Sequence, residues 1–566
     1  MLSAYGQEWN DSLPLTETAP YEFTSDTTAV DTLRTKLSLN YYATAQNCVD
    51  TMIKRYGLEN LKDDDLRTVM GVRYTMERSD FSISNPFTFA EDISTELMLV
   101  ISEQYKKDSG VEISIVTYRD YKDDSVAVHI LGTIGKLDSK EWQELSGKGY
   151  SYDDYVGKSG VEKAFEEYLK GTDGEITYTL DNLGNIVSAE VTKEPIQGNS
   201  VYLSIDSKLQ LVAQDVLASN IKQLNAKGSK ITGGAVVVTE VETGQVLVCA
   251  NYPTYSLSQY YNSYSELVNN KISNPLFNRA FNGQYAPGSV FKPLVAIAGL
   301  DLKIIDRNST VNCVRKYTYY DDYQPSCMHR HGILNVIGGI SESCNYFFFD
   351  VGRRTGITNL NKYARLFGLG EPTGIEVVET AGILAGPEYS SSKNQRWYDG
   401  NTLAASIGQL DNAFSPLQLA MYTSTIANGG TRYRATLLNK VTTPTGEDVM
   451  INSPVVINET GIAADVLDIV KQGMRSVTAE GTASTYFNNY SIAVGGKTGT
   501  AQNTGADHNA FTVFAPYEDP EIAITVYVEH GEHSISTGPI AKAILDAYFF
   551  VDRVEYSEPQ INELLR

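Results

Sequence analysis

In the stretch GQYAPGSVFKPLVAIAGL, Gly283 to Leu300, a serine and a lysine stand three residues apart on an otherwise apolar helical pattern. Pro287 and Gly288 make a turn, so Ser289 falls where a helix starts. Its backbone N–H is one of the unpaired donors of the first turn, and the helix dipole favours negative charge there. Lys292, at i+3, shares a face with Ser289. An ammonium held in an apolar helix is penalised by desolvation, which pushes its pKa down. A lysine made neutral in this way can take the proton of a serine hydroxyl. The chemistry predicted is nucleophilic catalysis by Ser289 with Lys292 as its base.

S-x-x-K alone is a weak signal. It recurs at Ser219–Lys222, on a polar helix face, and at Ser390–Lys393, in the polar tract YSSSKNQRW. Ser289 differs in having a Pro-Gly turn before it and the apolar helix PLVAIAGL after it. Two further motifs join it. SESCNYFFFD places Ser343, Cys344 and Asn345 at the edge of an apolar segment, and GGKTGTAQ places Lys497, Thr498, Gly499 and Thr500 on a predicted strand. Glycines around that strand let a substrate backbone approach it closely. Asn345 by itself reads as a helix cap; beside Ser343 it reads as part of a site.

The elements that must position these residues fall into two parts, 1–195 and 196–566. In the first, TTAVDTLRTKLSLNYYATAQNCVDTMIKRYG has helical spacing. GVEISIVTYRDY and SVAVHILGTIG are β-branched and alternating, so they read as strands. VEKAFEEYLKG reads as a short helix stopped by Gly171, and GEITYTLDNLGNIVSAEVT as a hairpin turning at NLGN. In the second part, SKLQLVAQDVLASNIKQL reads as an amphipathic helix, and GGAVVVTEVETGQVLVCANYP as strand, tight turn and strand. YSIAVGGKTGTAQ, NAFTVFAPY and EIAITVYVEH are three more strand-like segments far downstream, and GPIAKAILDAYFFVDRV is a closing helix. Strands from both ends of this part, with a helix-rich middle, predict one antiparallel sheet covered by helices. The fold class is α+β and multidomain.

A formal net charge of -23 argues against a nucleic-acid surface, which would need a basic stripe. No run of about 18 apolar residues is present, and the N-terminal segment has neither a basic stretch nor an apolar core, so it is not a signal peptide. The five cysteines contain no CxxC pair. Cys313 and Cys327 flank a tyrosine-rich loop and could form a disulfide in an oxidising compartment or remain free thiols. With His329 and His331 they could also hold zinc. The reading adopted here is that no metal or cofactor is needed, that Cys344 packs as a small apolar side chain, and that His508 is a loop residue near the cleft rim.

S-x-x-K, S-x-N and K-T-G in this order are the signature of the penicillin-binding protein and serine β-lactamase superfamily. VYLSIDSKLQ, NPLFNRAFNGQYAPGSVFKP and ASIGQLDNAFSPLQLAMYTSTIANGGTRYR resemble the transpeptidase domain of class B penicillin-binding proteins. RYTMERSDFSISNPFTFAEDIS, HILGTIGKL and YVGKSGVEKAFEEYLKGTDGE resemble that class's pedestal, or dimerisation, domain. The resemblance runs from about residue 70 to the end. It implies a five-stranded antiparallel transpeptidase sheet over 196–566 and a pedestal over 1–195. It implies a monofunctional enzyme on the outer face of a bacterial cell membrane, its single N-terminal anchor absent from this sequence, as is the family's R-G-x-I-x-D-R segment.

By the same resemblance, Ser289 attacks a terminal D-Ala-D-Ala, Lys292 is the base, and Ser343 passes the proton to the leaving D-alanine. Asn345 orients Lys292 and the substrate amide. Lys497 supplies positive charge, and Thr498, Gly499 and Thr500 line the substrate strand. The backbone N–H groups of Ser289 and Thr500 form the oxyanion hole. An amine from a neighbouring stem peptide resolves the acyl-enzyme, β-lactams block it, and a membrane glycosyltransferase is the expected partner. His331 takes a structural role. Two other readings compete: a carboxypeptidase or β-lactamase that releases its acyl group to water, and a scaffold or β-lactam sensor whose pedestal binds partners.

Overall fold

The structure is a computed structural model. It describes all residues except 1, 25–26, 80, 82–85, 106–109, 112, 114–118, 152–153, 181–185, 504, 532–535 and 552–566. The chain divides into two compact units, Met1–Arg119 with Ile176–Thr192, and Asp120–Glu175 with Lys193–Arg566. Residues 120–175, grouped by sequence with the N-terminal part, therefore pack within the larger unit.

The smaller unit is built on helices Thr27–Lys36, Ala45–Tyr56 and Asp63–Arg78. The long helical pattern of the sequence is thus two helices. Thr44 opens the second with a reciprocal cap to Asn47, and Gly57 closes it in the left-handed conformation. Leu33, Cys48, Met52, Met70 and Tyr74 form the core. The predicted hairpin pairs Glu175–Leu180 with Ile186–Lys193, its turn lying outside the described residues. Half of the stretch GVEISIVTYRDY, expected as a strand, also lies outside them.

The larger unit carries the predicted sheet. Its strands are β1 (Gly234–Glu240), β2 (Val246–Tyr252), β3 (Gly495–Ala501), β4 (His508–Ala515) and β5 (Ile522–Val528). All neighbours are antiparallel, in the order β3-β4-β5-β1-β2. Side chains alternate between the two faces. Val236 and Val238 face Leu217 and Ile221 of helix α1 (Ser207–Ala226), while Ala235 and Val237 turn to Leu417 and Ala420 of α4 (Pro416–Ala427). Burial on both faces explains the near-continuous apolar runs. Helix α2 (Lys292–Asp301) is buried over nine of its ten residues, and packs against α3 (Asn345–Thr355) and α5 (Ala464–Ala479). An apolar helix buried all round belongs in a core.

One strand expectation fails. SVAVHILGTIG holds a helical turn, Val128–Leu131, followed by a strand only at Ile134–Lys136. Val128 and Ile130 are both buried there and Gly132 closes the turn at φ 82°. Tertiary burial outweighs the β-propensity of this β-branched run.

Candidate active site

Ser289 lies in a 3₁₀ turn, Gly288–Phe291, and α2 begins only at Lys292. In 3₁₀ geometry side chains at i and i+3 eclipse, so the serine and the lysine share one edge of the turn. Lys292 is 0% exposed. Its Nζ donates to Ser343 O at 2.6 Å, Asn345 Oδ1 at 2.6 Å and Ser343 Oγ at 3.2 Å. Three acceptors use all three protons of an ammonium. To act as a base the amine must lose one of them and turn a lone pair to the serine. Burial favours that loss: it pulls the Lys292 pKa down to about 7, against the opposing pull of the Cys344 and Cys327 thiols.

The turn that meets Lys292 is itself unusual. Ser343 has φ 52°, in the left-handed region that costs a non-glycine residue about 1–2 kcal/mol. This conformation brings both its carbonyl and its hydroxyl to the lysine. Cys344, not Asn345, caps α3; its sulfur accepts from Phe347 N, leaving the Asn345 carboxamide for Lys292.

Lys497 approaches the same hydroxyl from β3. It is also 0% exposed, and its Nζ donates to Ser343 Oγ and to Thr498 O, both at 2.9 Å. Burial, then repulsion from Lys292, holds its pKa well below the ordinary lysine value. One serine hydroxyl therefore bridges two buried amines, a path for a proton between them.

β3 is the edge strand, paired with β4 on one side only. Thr498 hydrogen-bonds Thr482 Oγ1 at 2.8 Å, and Thr500 is exposed. Gly288 has φ +54°, and a Cβ there would lie 2.5 Å from Thr500 O. Only a glycine lets the backbone entering Ser289 press against the end of β3.

This arrangement was compared with known proteins. The family described as the penicillin binding protein transpeptidase domain matches residues 234–546, and the penicillin-binding protein dimerisation domain matches 21–203. The chain belongs to the penicillin-binding proteins. It is 31% identical over 491 residues to the peptidoglycan D,D-transpeptidase MrdA of Acinetobacter baumannii, covering 80% of this chain and 69% of that one. Among solved structures it is similar to Pseudomonas aeruginosa PBP2 in complex with WCK 5153, with a TM-score of 0.65, 30% identity, and coverage of 77% of this chain and 92% of that one. It is also similar to the PBP2 of Helicobacter pylori in its complex with MreC, with a TM-score of 0.71, 26% identity, and coverage of 89% and 92%.

In this penicillin-binding protein, three features escaped the sequence. His508 is not in a loop but opens β4, and its Nδ1 accepts from His530 N at 2.9 Å. Gln409, in the SIGQ turn, reaches β3 at Thr500 O at 3.1 Å and, just past the strand's end, accepts from Gln502 N at 3.3 Å. Cys344, expected only to pack, joins Cys313, Cys327 and His331, whose ligand atoms all lie within 4.8 Å of one another. All five cysteines are free thiols, so Cys313 and Cys327 form no disulfide. The spacings are Cys327 Sγ to Cys344 Sγ 3.8 Å, Cys313 Sγ to His331 Nδ1 3.6 Å and Cys327 Sγ to His331 Nδ1 3.5 Å. A proton shared between Cys327 and Cys344 pushes the first thiol down and the second up.

Proposed function

We propose that this chain is a serine-type peptidoglycan D,D-transpeptidase in which Ser289, Lys292, Ser343, Asn345 and Lys497 carry the chemistry. The observation that carries the assignment of roles is the Ser343 hydroxyl held between Lys292 and Lys497. Neutral Lys292 takes the Ser289 proton as Oγ attacks the carbonyl of a terminal D-Ala-D-Ala. The N–H groups of Ser289 and Thr500 hold the developing oxyanion, each worth about 10²–10³ in rate. The proton passes through Ser343 Oγ to the leaving amine, the C–N bond breaks, and an ester joins donor and Ser289. An amine from a second stem peptide attacks that ester, restoring the serine and forming the cross-link. Lys497 Nζ, Thr498 and Thr500 offer amine and hydroxyl donors to the donor's terminal carboxylate, and Gly499 keeps the strand open to its backbone. A β-lactam enters the same path, but its ring opens without a departing amine and the ester persists.

Intact-protein mass spectrometry with benzylpenicillin tests this reading. Wild type gains one drug mass and Ser289→Ala gains none. Rapid loss of the adduct would instead favour a β-lactamase or carboxypeptidase. Labelling without cross-linking by any partner mixture would favour the scaffold reading. Work beside a membrane glycosyltransferase, on the outer face of the cell membrane, follows from the family. Among the described residues no helix is long and apolar enough to cross a membrane.

The Cys313, Cys327, His331 and Cys344 cluster revises the expectation that no metal is needed. With Zn–S of about 2.3 Å and Zn–N of about 2.0–2.1 Å, a tetrahedral site has S···S near 3.8 Å and S···N near 3.5 Å. The spacings here match both values. Three soft sulfurs and one imidazole are a zinc donor set. A bound zinc would take up the charge of the thiolates and tie the Ser343–Asn345 turn to the 313–331 loop through Cys344.

A further inference from the structure

In an antiparallel strand the N–H and C=O of one residue point to the same side. Thr500 O is met by Gln409, and Thr498 O by Lys497 Nζ, so both residues direct their backbone groups away from β4 and into the cleft. Gln502 follows the same alternation, and its N–H meets Gln409 Oε1. The Gln409 carboxamide thus gives one donor and one acceptor to the open edge of β3. A peptide group of an added strand would give the same pair. The carboxamide is carried on a turn locked to the nucleophile: Gly288 N donates to Gly408 O at 2.9 Å.

We infer that Gln409 is a displaceable stand-in for the acyl donor on the β3 edge, a positioning residue that holds the Thr500 carbonyl until the backbone-like amide of a donor replaces it. This rests on the acyl-transfer reading above. A donor whose carbonyl lies at the Thr500 N–H brings its adjoining amide N–H towards Thr500 O, the acceptor Gln409 now holds. A ligand with that N–H replaces the Gln409 bond with its own. A ligand without it leaves the Gln409 bond intact; only where Gln409 is missing does such a ligand strand the carbonyl and lose affinity.

The test compares acylation rate constants for benzylpenicillin, which has a side-chain amide N–H, with those for penicillanic acid, the same bicycle without the side chain. In Gln409→Ala the ratio of the two constants should rise about threefold or more, the size of one neutral hydrogen bond removed from competition. Gln409→Glu keeps the length of the side chain but cannot donate to Thr500 O, so it should move the ratio the same way. Disturbed packing would move both constants together. An unchanged or lower ratio in both variants, with one drug mass still bound per chain, overturns the stand-in role. Absence of the adduct in wild type would instead overturn the acyl-transfer reading itself.

Discussion

The acylation rate of Ser289 should depend on pH through Lys292, with a midpoint set by its burial. An exposed lysine keeps a proton to pH 10.5; in this core the value falls to about 7. That difference corresponds to about 5 kcal/mol at 1.36 kcal/mol per pH unit. With the neutral amine as the proposed base, activity is present above the folded pKa and is lost as pH falls through it. About half of the enzyme is competent at pH 7 and roughly one molecule in a hundred at pH 5, a fall of about 50-fold with a slope approaching tenfold per pH unit. Above pH 8 the rate levels off. Stopped-flow measurement of the second-order rate constant for benzylpenicillin between pH 5 and pH 9 reads this profile. A profile flat from pH 5 to 8 would refute the lysine as base. A rate still climbing tenfold per unit at pH 9 would show that the three acceptors around Nζ hold the proton more strongly than burial expels it.

Two further perturbations follow from the backbone and the thiols. In Gly408→Ala the new Cβ would lie 2.1 Å from Gly288 O at φ +73°, so the turn must shift; acylation should fall roughly 100-fold, as misplacements near 1 Å do, while circular dichroism at 25 °C stays native, and an unchanged rate would show that the 288–408 contact does not position the nucleophile. Purified protein should carry one zinc per chain by elemental analysis, and stripping it with a strong chelator should lower the melting temperature and slow acylation; metal-free protein with unchanged melting would remove the metal reading.

The candidate site residues were legible because each lies in a short motif whose context is local. Ser289 follows a turn and precedes an apolar helix, and Lys497 sits on a strand rich in glycine. The sheet was legible for a similar reason, since strands buried on both faces leave apolar runs that spacing alone reveals. Contacts closed by the fold left no such trace. Gln409 meets β3 across 91 residues, and Cys313 meets His331 and Cys344 only once the 313–331 loop lies against α3. The helical turn at Val128–Leu131 was hidden because its β-branched residues are placed by burial and not by their own preference.

These hidden contacts converge on the motif that was easiest to see. Ser343 is held in a conformation that a serine does not adopt freely, and such strain persists only where the surroundings over-determine it. Lys292 takes its carbonyl and hydroxyl, Lys497 takes the hydroxyl again, Asn345 ties the next turn of chain to Lys292, and Cys344 anchors the same turn in the thiol cluster. Relaxing Ser343 would separate the bridge between the two amines. The left-handed serine is therefore the point at which the fold commits stability to the proposed site, and in that reading the residues around it act on the chemistry even where they never meet the substrate.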